Sequence, residues 1–202
     1  MRLIRLAFAA CACVVLAACS IGAPIPRATT YVLELPAATP AAARRPETLR
    51  MANVRVAAAF AGDGLVYRMD EVRYTADPYN AFITEPARML GNRMAEWLDR
   101  AGPFQSVAQP DSARGAPYIL EATVSELYGD FRLGRPPAAV VTVQFALLDL
   151  TGARSKVVLE RTIRRRVEVE QASPDALVRG YGTALAEILA ELPKDLERNT
   201  AS

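Results

Sequence analysis

The sequence predicts an α+β fold: a two-layer sandwich, with a largely antiparallel sheet that carries two helices on one face. Three observations lead to this prediction. Three strand-length runs rich in apolar residues lie at 117–128, 138–150 and 156–170. Two segments that start near Pro86 and Pro174 repeat apolar residues at helical spacing. The 202 residues, 51% of them hydrophobic and 23% charged, suit one ordinary globular domain.

The N-terminus resembles a bacterial signal peptide. Arg2 and Arg5 supply positive charge, and residues 6–18 form an apolar run without a charged residue. At about 1.5 Å per residue, this run is too short to span a bilayer core of about 30 Å. Residues 1–18 are therefore predicted to be a signal peptide. A short buried helix is the alternative.

The apolar run ends in Leu16-Ala17-Ala18-Cys19, which resembles the lipobox of bacterial lipoproteins. In that motif the cysteine thiol takes a diacylglycerol, and the peptide bond before the cysteine is cleaved. We therefore predict cleavage between Ala18 and Cys19 and lipid attachment at Cys19. Ordinary cleavage without a lipid is the alternative.

A tether is expected between the lipid and the folded domain. Residues 19–30 contain two prolines and no amphipathic pattern, and the domain is predicted over residues 31–195. Cys11 and Cys13 would leave with the signal peptide, so no thiol would remain for a disulfide or a redox site. In lipoproteins of this kind an Asp after the cysteine favours retention in the inner membrane. By this resemblance, Ser20 favours the outer membrane.

Short strands are expected before the first helix, over residues 31–35, 49–60 and 71–75. Gly62 and Gly64 follow the second of these and suit a turn between strands. The glycine pair lacks the third glycine of a phosphate-binding loop, and a strand-like segment follows it. A nucleotide site is therefore not supported.

Both helices have start and stop signals. Thr84 is expected to cap the first helix, with Pro86 in its first turn and Gly102 beyond its end. Ser173 is expected to cap the second helix, which is predicted to end before Pro193.

Two details of the C-terminal half depart from this simple pattern. Gly180 and Gly182 lie inside the second helix, where each glycine costs about 1 kcal/mol, so we expect a neighbouring segment to pass close there. The run at 156–170 alternates between an apolar face and a charged face. Arg165 falls on the apolar face, where the sequence offers it no partner.

Composition argues against several classes of function. The chain has no His, which removes catalytic triads, metal ligand sets and proton relays that need imidazole. A net charge of +2 does not suggest binding to nucleic acid. Asp70 and Glu71 form the tightest acidic pair, but neighbours on a strand face opposite sides and do not easily share a cation. We therefore predict a protein that is not an enzyme, with no cofactor and no metal.

The order of several short motifs resembles that of the ABC-type transport auxiliary lipoproteins, the family of the paraquat-inducible lipoprotein of an intermembrane transport system. After the lipobox these motifs are Tyr31-Val32-Leu33, Leu65-Val66-Tyr67-Arg68, Val72-Arg73-Tyr74, Phe82-Ile83-Thr84-Glu85-Pro86, Trp97-Leu98 and Gly102-Pro103-Phe104.

The resemblance implies a lipid-anchored periplasmic subunit that docks an ABC system with an MCE-domain protein. Such systems move phospholipids or other hydrophobic molecules between the inner and outer membranes. No apolar run after the signal peptide demands a lipid-sized pocket, so docking is favoured over carrying. A lipoprotein that assembles or plugs an outer-membrane β-barrel is the main alternative, and a soluble lipid carrier is the third. The sequence does not determine whether the protein forms a homo-oligomer.

Two surfaces are expected to contact the MCE-domain partner. One is the approach to the first helix, with Tyr79 and Phe82, and the other is the hairpin loop with Phe131, Arg132 and Leu133. The structural alternatives are that Phe82 anchors the helix start in the core, and that Phe131 and Leu133 fold back over the sheet edge.

Overall fold

The computed structural model describes residues 27–109, 111–112 and 115–200 of the chain. In these residues the chain forms a nine-stranded sheet and two helices, which confirms the predicted α+β class. The strands are β1 (Thr29–Tyr31), β2 (Arg45–Met51), β3 (Arg55–Val56), β4 (Gly64–Arg68), β5 (Tyr74–Phe82), β6 (Phe104–Ala108), β7 (Tyr118–Asp130), β8 (Ala138–Asp149) and β9 (Lys156–Glu168). The helices are α1 (Pro86–Ala101) and α2 (Pro174–Thr200).

The sheet is built on three long antiparallel strands, β7, β8 and β9. One edge of β7 pairs with β8, whereas its other edge pairs in turn with β2, β3 and β4, all parallel to it. From there β2 pairs with β6, and β4 leads through β5 to β1. The sheet is therefore mixed, because β7 has an antiparallel neighbour on one edge and three short parallel neighbours on the other.

Both helices lie on the same face of this sheet. Their apolar sides share one core with alternate residues of β7 and β8, such as Leu120 and Val143. A bulge between Val124 and Glu126 shifts the alternation of β7. Tyr128 therefore joins a smaller apolar cluster, apart from the main core, with Val66, Val140 and Phe60.

The strands before α1 differ in part from their predicted bounds. The predicted strand at 31–35 lies at Thr29–Tyr31, and the chain then leaves the sheet with Leu33 buried in the core. The predicted strand at 49–60 is divided into β2, β3 and a 3-10 turn at Ala58–Phe60. The prediction of a strand at 71–75 was wrong for its first half, since residues 70–72 form a bend and β5 begins at Tyr74.

The caps of the two helices differ from each other. Thr84 does not cap α1: Glu85 is the N-cap without a side-chain bond, and the Thr84 hydroxyl accepts a hydrogen bond from Arg88 at 2.8 Å. In α2 the Ser173 hydroxyl accepts the Ala176 N–H at 3.4 Å, as a capping residue does.

Helix α2 continues past Pro193 to Thr200, so the predicted end before that proline was wrong. The helix persists because residues on both sides of the proline are buried, with Leu192 and Leu196 in the core. The close approach expected at Gly180 is confirmed, since an added Cβ would lie 2.8 Å from the Ala139 Cβ.

Arg165 finds its partners on α2. Its guanidinium lies 3.5 Å from the Glu187 carboxylate and also contacts Glu191. Arg161 lies four residues before Arg165, on the same face of β9. It binds Glu191 and Asp195 at 2.5 Å each. These two arginines tie the outer strand of the sheet to the C-terminal half of the helix.

Candidate docking surfaces

The two predicted docking surfaces have different exposures. Phe82 is only 4% exposed and its ring packs against Tyr181, at 6.2 Å between centroids, so it belongs to the core as the structural alternative stated. Tyr79 lies on the same strand and is 44% exposed. Of this pair, Tyr79 alone is accessible to a partner.

Two loops meet at one end of the sheet, and we call them together the two-loop tip. One is the β4–β5 turn, residues 69–73, and the other is the β7–β8 loop, residues 131–137. They meet because β4 and β7 are parallel and end side by side, with Arg68 opposite Asp130. The Phe131 N–H extends this pairing by donating to the Arg68 carbonyl at 2.9 Å.

A charge cluster fastens the two loops to each other. Both oxygens of the Asp130 carboxylate accept hydrogen bonds from Arg132, at 2.7 and 2.8 Å. Arg132 also donates to Glu71 across the tip at 2.6 Å, and Arg68 binds the other Glu71 oxygen at 3.0 Å. Arg132 is therefore a structural member of the tip, with only 11% of its side chain exposed.

This cluster fixes the charge state of Asp130. The hydrogen bonds from Arg132 lower the pKa of the Asp130 carboxyl, although burial acts in the opposite direction. The same bonds raise the pKa of Arg132. Both groups are charged in the folded protein, and the bidentate ion pair holds the β7–β8 loop in one orientation.

Phe131 attaches the two-loop tip to the core of the domain. Its ring stacks on Tyr67, with 5.1 Å between centroids, and packs against the main core. The Tyr67 hydroxyl donates to Asp77 at 2.7 Å. Burial and this hydrogen bond raise the pKa of Tyr67. Phe131 therefore folds back onto the domain, as the structural alternative stated, whereas Leu133, for which the same alternative was given, is exposed.

The apolar side chains that remain on the two-loop tip are exposed. Leu133 is 97% exposed, and Val72, on the facing turn, is 88% exposed. Met69 adds a side chain that is 38% exposed. An exposed apolar patch rimmed by polar groups is the kind of surface that marks contact with a protein or a membrane. Leu133 was predicted as a contact residue and Val72 was not, although an apolar residue inside a charged turn was a usable signal.

The position of Tyr79 depends on a bulge in β5. Asp77 shapes this bulge because its Oδ1 accepts the main-chain N–H groups of Tyr79 and Asn80, at 2.8 and 3.0 Å. Burial disfavours the charged Asp77 carboxylate, but the hydrogen bond from Tyr67 and those of the bulge lower its pKa overall. Gly64 leaves room for the bulge, since a Cβ there would lie 2.9 Å from the Asp77 carbonyl.

A third surface was not predicted from the sequence. The sheet face that the helices leave uncovered carries an open groove with a volume of about 370 Å³. We call it the outer groove, and the polar side chains that line it are Arg55, Glu121, Thr123, Gln144, Glu160 and Thr162. Its mixture of charges and amides suits a polar protein surface and does not suit an acyl chain.

The structure also bears on a metal site, on a membrane-spanning helix and on the predicted lipid anchor. In the part of the chain that the structure describes, no group of three acidic or Cys side chains could hold a metal ion. The same residues contain no helix that is long and apolar enough to cross a membrane. The predicted cleavage at Ala18 and lipid attachment at Cys19 lie outside the described residues.

Comparison with solved structures shows the fold. The crystal structure of a Xanthomonas campestris protein of the DUF330 family matches with a TM-score of 0.74 at 18% identity, covering 85% of this chain and 96% of that one. A second crystal structure, of a protein described as uncharacterized, has a TM-score of 0.61 at 17% identity and covers 83% and 99% of the two chains. A search of curated protein sequences finds no match.

The family itself follows from the sequence comparison. The model of the ABC-type transport auxiliary lipoprotein component matches residues 31–192, which is most of the chain. This confirms the resemblance that the order of the motifs indicated. The chain belongs to the family of ABC-type transport auxiliary lipoprotein components.

Proposed function

We propose that this protein is a lipid-anchored docking subunit of an ABC transport system with an MCE-domain protein, which moves phospholipid or another hydrophobic molecule between the two membranes. The observation that carries the proposal is the family match over residues 31–192, because that family serves ABC-type transport. The lipobox at Cys19 supports a lipid anchor, and Ser20 supports the outer membrane as its location.

The interior of the domain supports docking rather than carrying. The space between the helices and the sheet is filled by apolar side chains such as Leu98, Phe104 and Leu185. The outer groove is open and polar, whereas an acyl chain needs an apolar cavity that excludes water. We therefore assign the protein a binding role in transport without a catalytic step.

We propose that the outer groove contacts the MCE-domain protein. Gln144 and Thr162 offer amide and hydroxyl groups to the groove, and Arg55 and Glu160 bring both signs of charge to it. A polar groove of mixed charge favours a protein surface with complementary charges, which adds specificity to the contact. Tyr79 is a second exposed candidate for the same partner.

Site-specific photocrosslinking in cells that express the whole transport system tests this proposal. A photoreactive amino acid at Gln144 is expected to capture the MCE-domain protein. The matched control is the same amino acid at Glu197, an exposed residue on the helix side of the domain. A crosslink from Gln144 to an outer-membrane β-barrel instead would support the alternative function, and no MCE adduct from any exposed position would reject the proposal.

Lipid attachment is tested separately, by the intact mass of the purified protein. Acylation of Cys19 adds the mass of the acyl chains to the chain that starts at this residue. The variant Cys19→Ser is expected to lose both the added mass and the membrane fraction, since two or more acyl chains are needed for stable anchoring. A wild-type protein without acyl chains would reject the anchored arrangement.

A further inference from the structure

The start of the described chain points toward the two-loop tip. Strand β1 is parallel to β5 and places Thr29 opposite Asn80. Strand β5 itself begins at the tip, where Tyr74 pairs with Arg68. Arg27 and Ala28 precede Thr29, so the described chain enters β1 from the side of the tip. The chain thus enters the domain from the end that carries Leu133 and Val72.

The lengths of these segments allow the lipid and the tip to reach the same bilayer. Thr29 pairs with Asn80, six residues along β5 from Tyr74, and because the bulge at Asp77 shortens this path, the distance is less than about 20 Å. Ten residues separate Cys19 from Thr29, and an extended chain of that length spans about 35 Å. The tether is therefore long enough for the acyl chains to enter a membrane that touches the tip.

The side chains of the tip suit the surface of such a membrane. Leu133 and Val72 are the most exposed large apolar residues among those that the structure describes, and Met69, on the same turn as Val72, is partly exposed. Arg73 and Arg135 lie on the same two loops, with 67% and 56% of their side chains exposed. Apolar side chains at the acyl boundary with guanidinium groups at the phosphates are the arrangement that interfacial proteins use.

The tip is also rigid enough to make this contact at low cost. The Asp130–Arg132 pair and the Arg132–Glu71 bond already fix both loops, so insertion does not have to order them. The two loops carry Arg73, Arg132 and Arg135 against Asp70 and Glu71, which leaves one positive charge in excess. This excess favours the phosphates of anionic lipids.

We propose that the two-loop tip enters the headgroup region of the bilayer that holds the acylated Cys19, with Leu133 and Val72 at the acyl boundary and Arg73 and Arg135 on lipid phosphates. The proposal rests on the proposed lipid anchor. The contact fixes how the domain stands on the membrane, because a lipid tether alone leaves the domain free to turn. It also leaves the outer groove accessible to a protein partner.

Fluorescence quenching in vesicles tests the contact. Because the mature acylated chain has no free thiol, Leu133→Cys provides a single site for an environment-sensitive fluorophore. The matched control is Ala153→Cys in the exposed β8–β9 turn, at the end of the sheet away from the tip. Each acylated protein is reconstituted into vesicles of phosphatidylethanolamine and phosphatidylglycerol that contain a nitroxide-labelled lipid.

The fluorophore at position 133 is expected to shift to shorter wavelength and to be quenched at least about twofold more than the one at position 153. Equal quenching at both positions in an acylated protein would overturn this inference alone. A protein whose mass shows no acyl chains would overturn the proposed anchor as well. A shift at position 133 that needs added MCE-domain protein and shows no lipid quenching would assign the tip to a protein partner.

Discussion

The main-chain carbonyl of Glu34 occupies the space where a Cβ of Gly182 would stand. The segment after β1 crosses helix α2 at this point, and Arg93 of α1 holds it from the other side. The Arg93 guanidinium donates to the Leu33 carbonyl at 2.9 Å and to the Glu34 carboxylate at 3.1 Å. The first segment of the domain after the tether is thus clamped between the two helices.

Gly182→Ala is expected to lower the free energy of unfolding by about 1 to 3 kcal/mol, because the added methyl group meets backbone that cannot rotate away. This net loss is expected even though alanine favours the helix by about 1 kcal/mol. Urea unfolding measures the change. Gly62→Ala is the control, since an added Cβ there meets nothing within 4 Å. Equal stability of the two variants would contradict the clamp.

Arg161→Ala is expected to lower the free energy of unfolding by about 2 to 4 kcal/mol. The variant leaves the Asp195 carboxylate with Arg198 as its remaining charged partner among the described residues. Asp195 has a side chain that is 4% exposed, so its charge depends on these guanidinium partners. Urea unfolding of this variant is compared with Arg154→Ala in an exposed turn. The double variant Arg161→Met, Asp195→Leu should recover most of the loss, and no recovery would contradict this account.

The long elements could be predicted from the sequence because their periodicity is local. Strands β7, β8 and β9 and helix α1 lie close to their predicted positions, and helix α2 begins where it was predicted. Pairing of β2, β3 and β4 with β7 joins residues far apart in the chain, and no local pattern encodes it. The bulge between Val124 and Glu126 likewise changes which face Tyr128 takes, and a strict alternation does not predict this.

The candidate surfaces were predicted only in part for the same reason. Leu133 was identified as a loop residue of a contact surface, but Val72 lies 61 positions away, and its loop meets that of Leu133 only through the parallel β4–β7 pair. Arg165 lacked a partner in the sequence because Glu187 and Glu191 belong to a helix that packs on its strand from a distance in the chain. Long-range pairing, rather than composition, decides both outcomes.

The stability contributed by Asp130 is expected to depend on pH. Arg132 lowers the pKa of this carboxyl in the folded protein, so the contribution is complete above the unfolded pKa of about 3.9 and disappears as the pH falls through the lower folded pKa. Asp130→Asn is expected to cost about 1 to 3 kcal/mol at neutral pH and progressively less in acid below about pH 4. Urea unfolding across this pH range measures the difference.

The control for Asp130 is Glu168→Gln, which removes a nearby carboxylate whose side chain is 65% exposed. This variant is expected to change the free energy of unfolding by less than about 0.5 kcal/mol. A loss for Asp130→Asn that stays constant from neutral to acid pH would contradict a role of the charged carboxylate.

Phe131 and Leu133 are two residues apart, and their substitutions are expected to have separate effects. Phe131→Ser removes a ring that stacks on Tyr67 and packs on the core, so it is expected to cost about 2 to 4 kcal/mol. Leu133→Ser changes a side chain that is almost fully exposed, so it is expected to stay within about 0.5 kcal/mol of wild type. Urea unfolding separates the two, and a destabilised Leu133→Ser would show that Leu133 packs on the domain. A stable Leu133→Ser protein then isolates the surface role of this residue, because any loss of membrane contact arises from the missing apolar side chain and not from a disturbed fold.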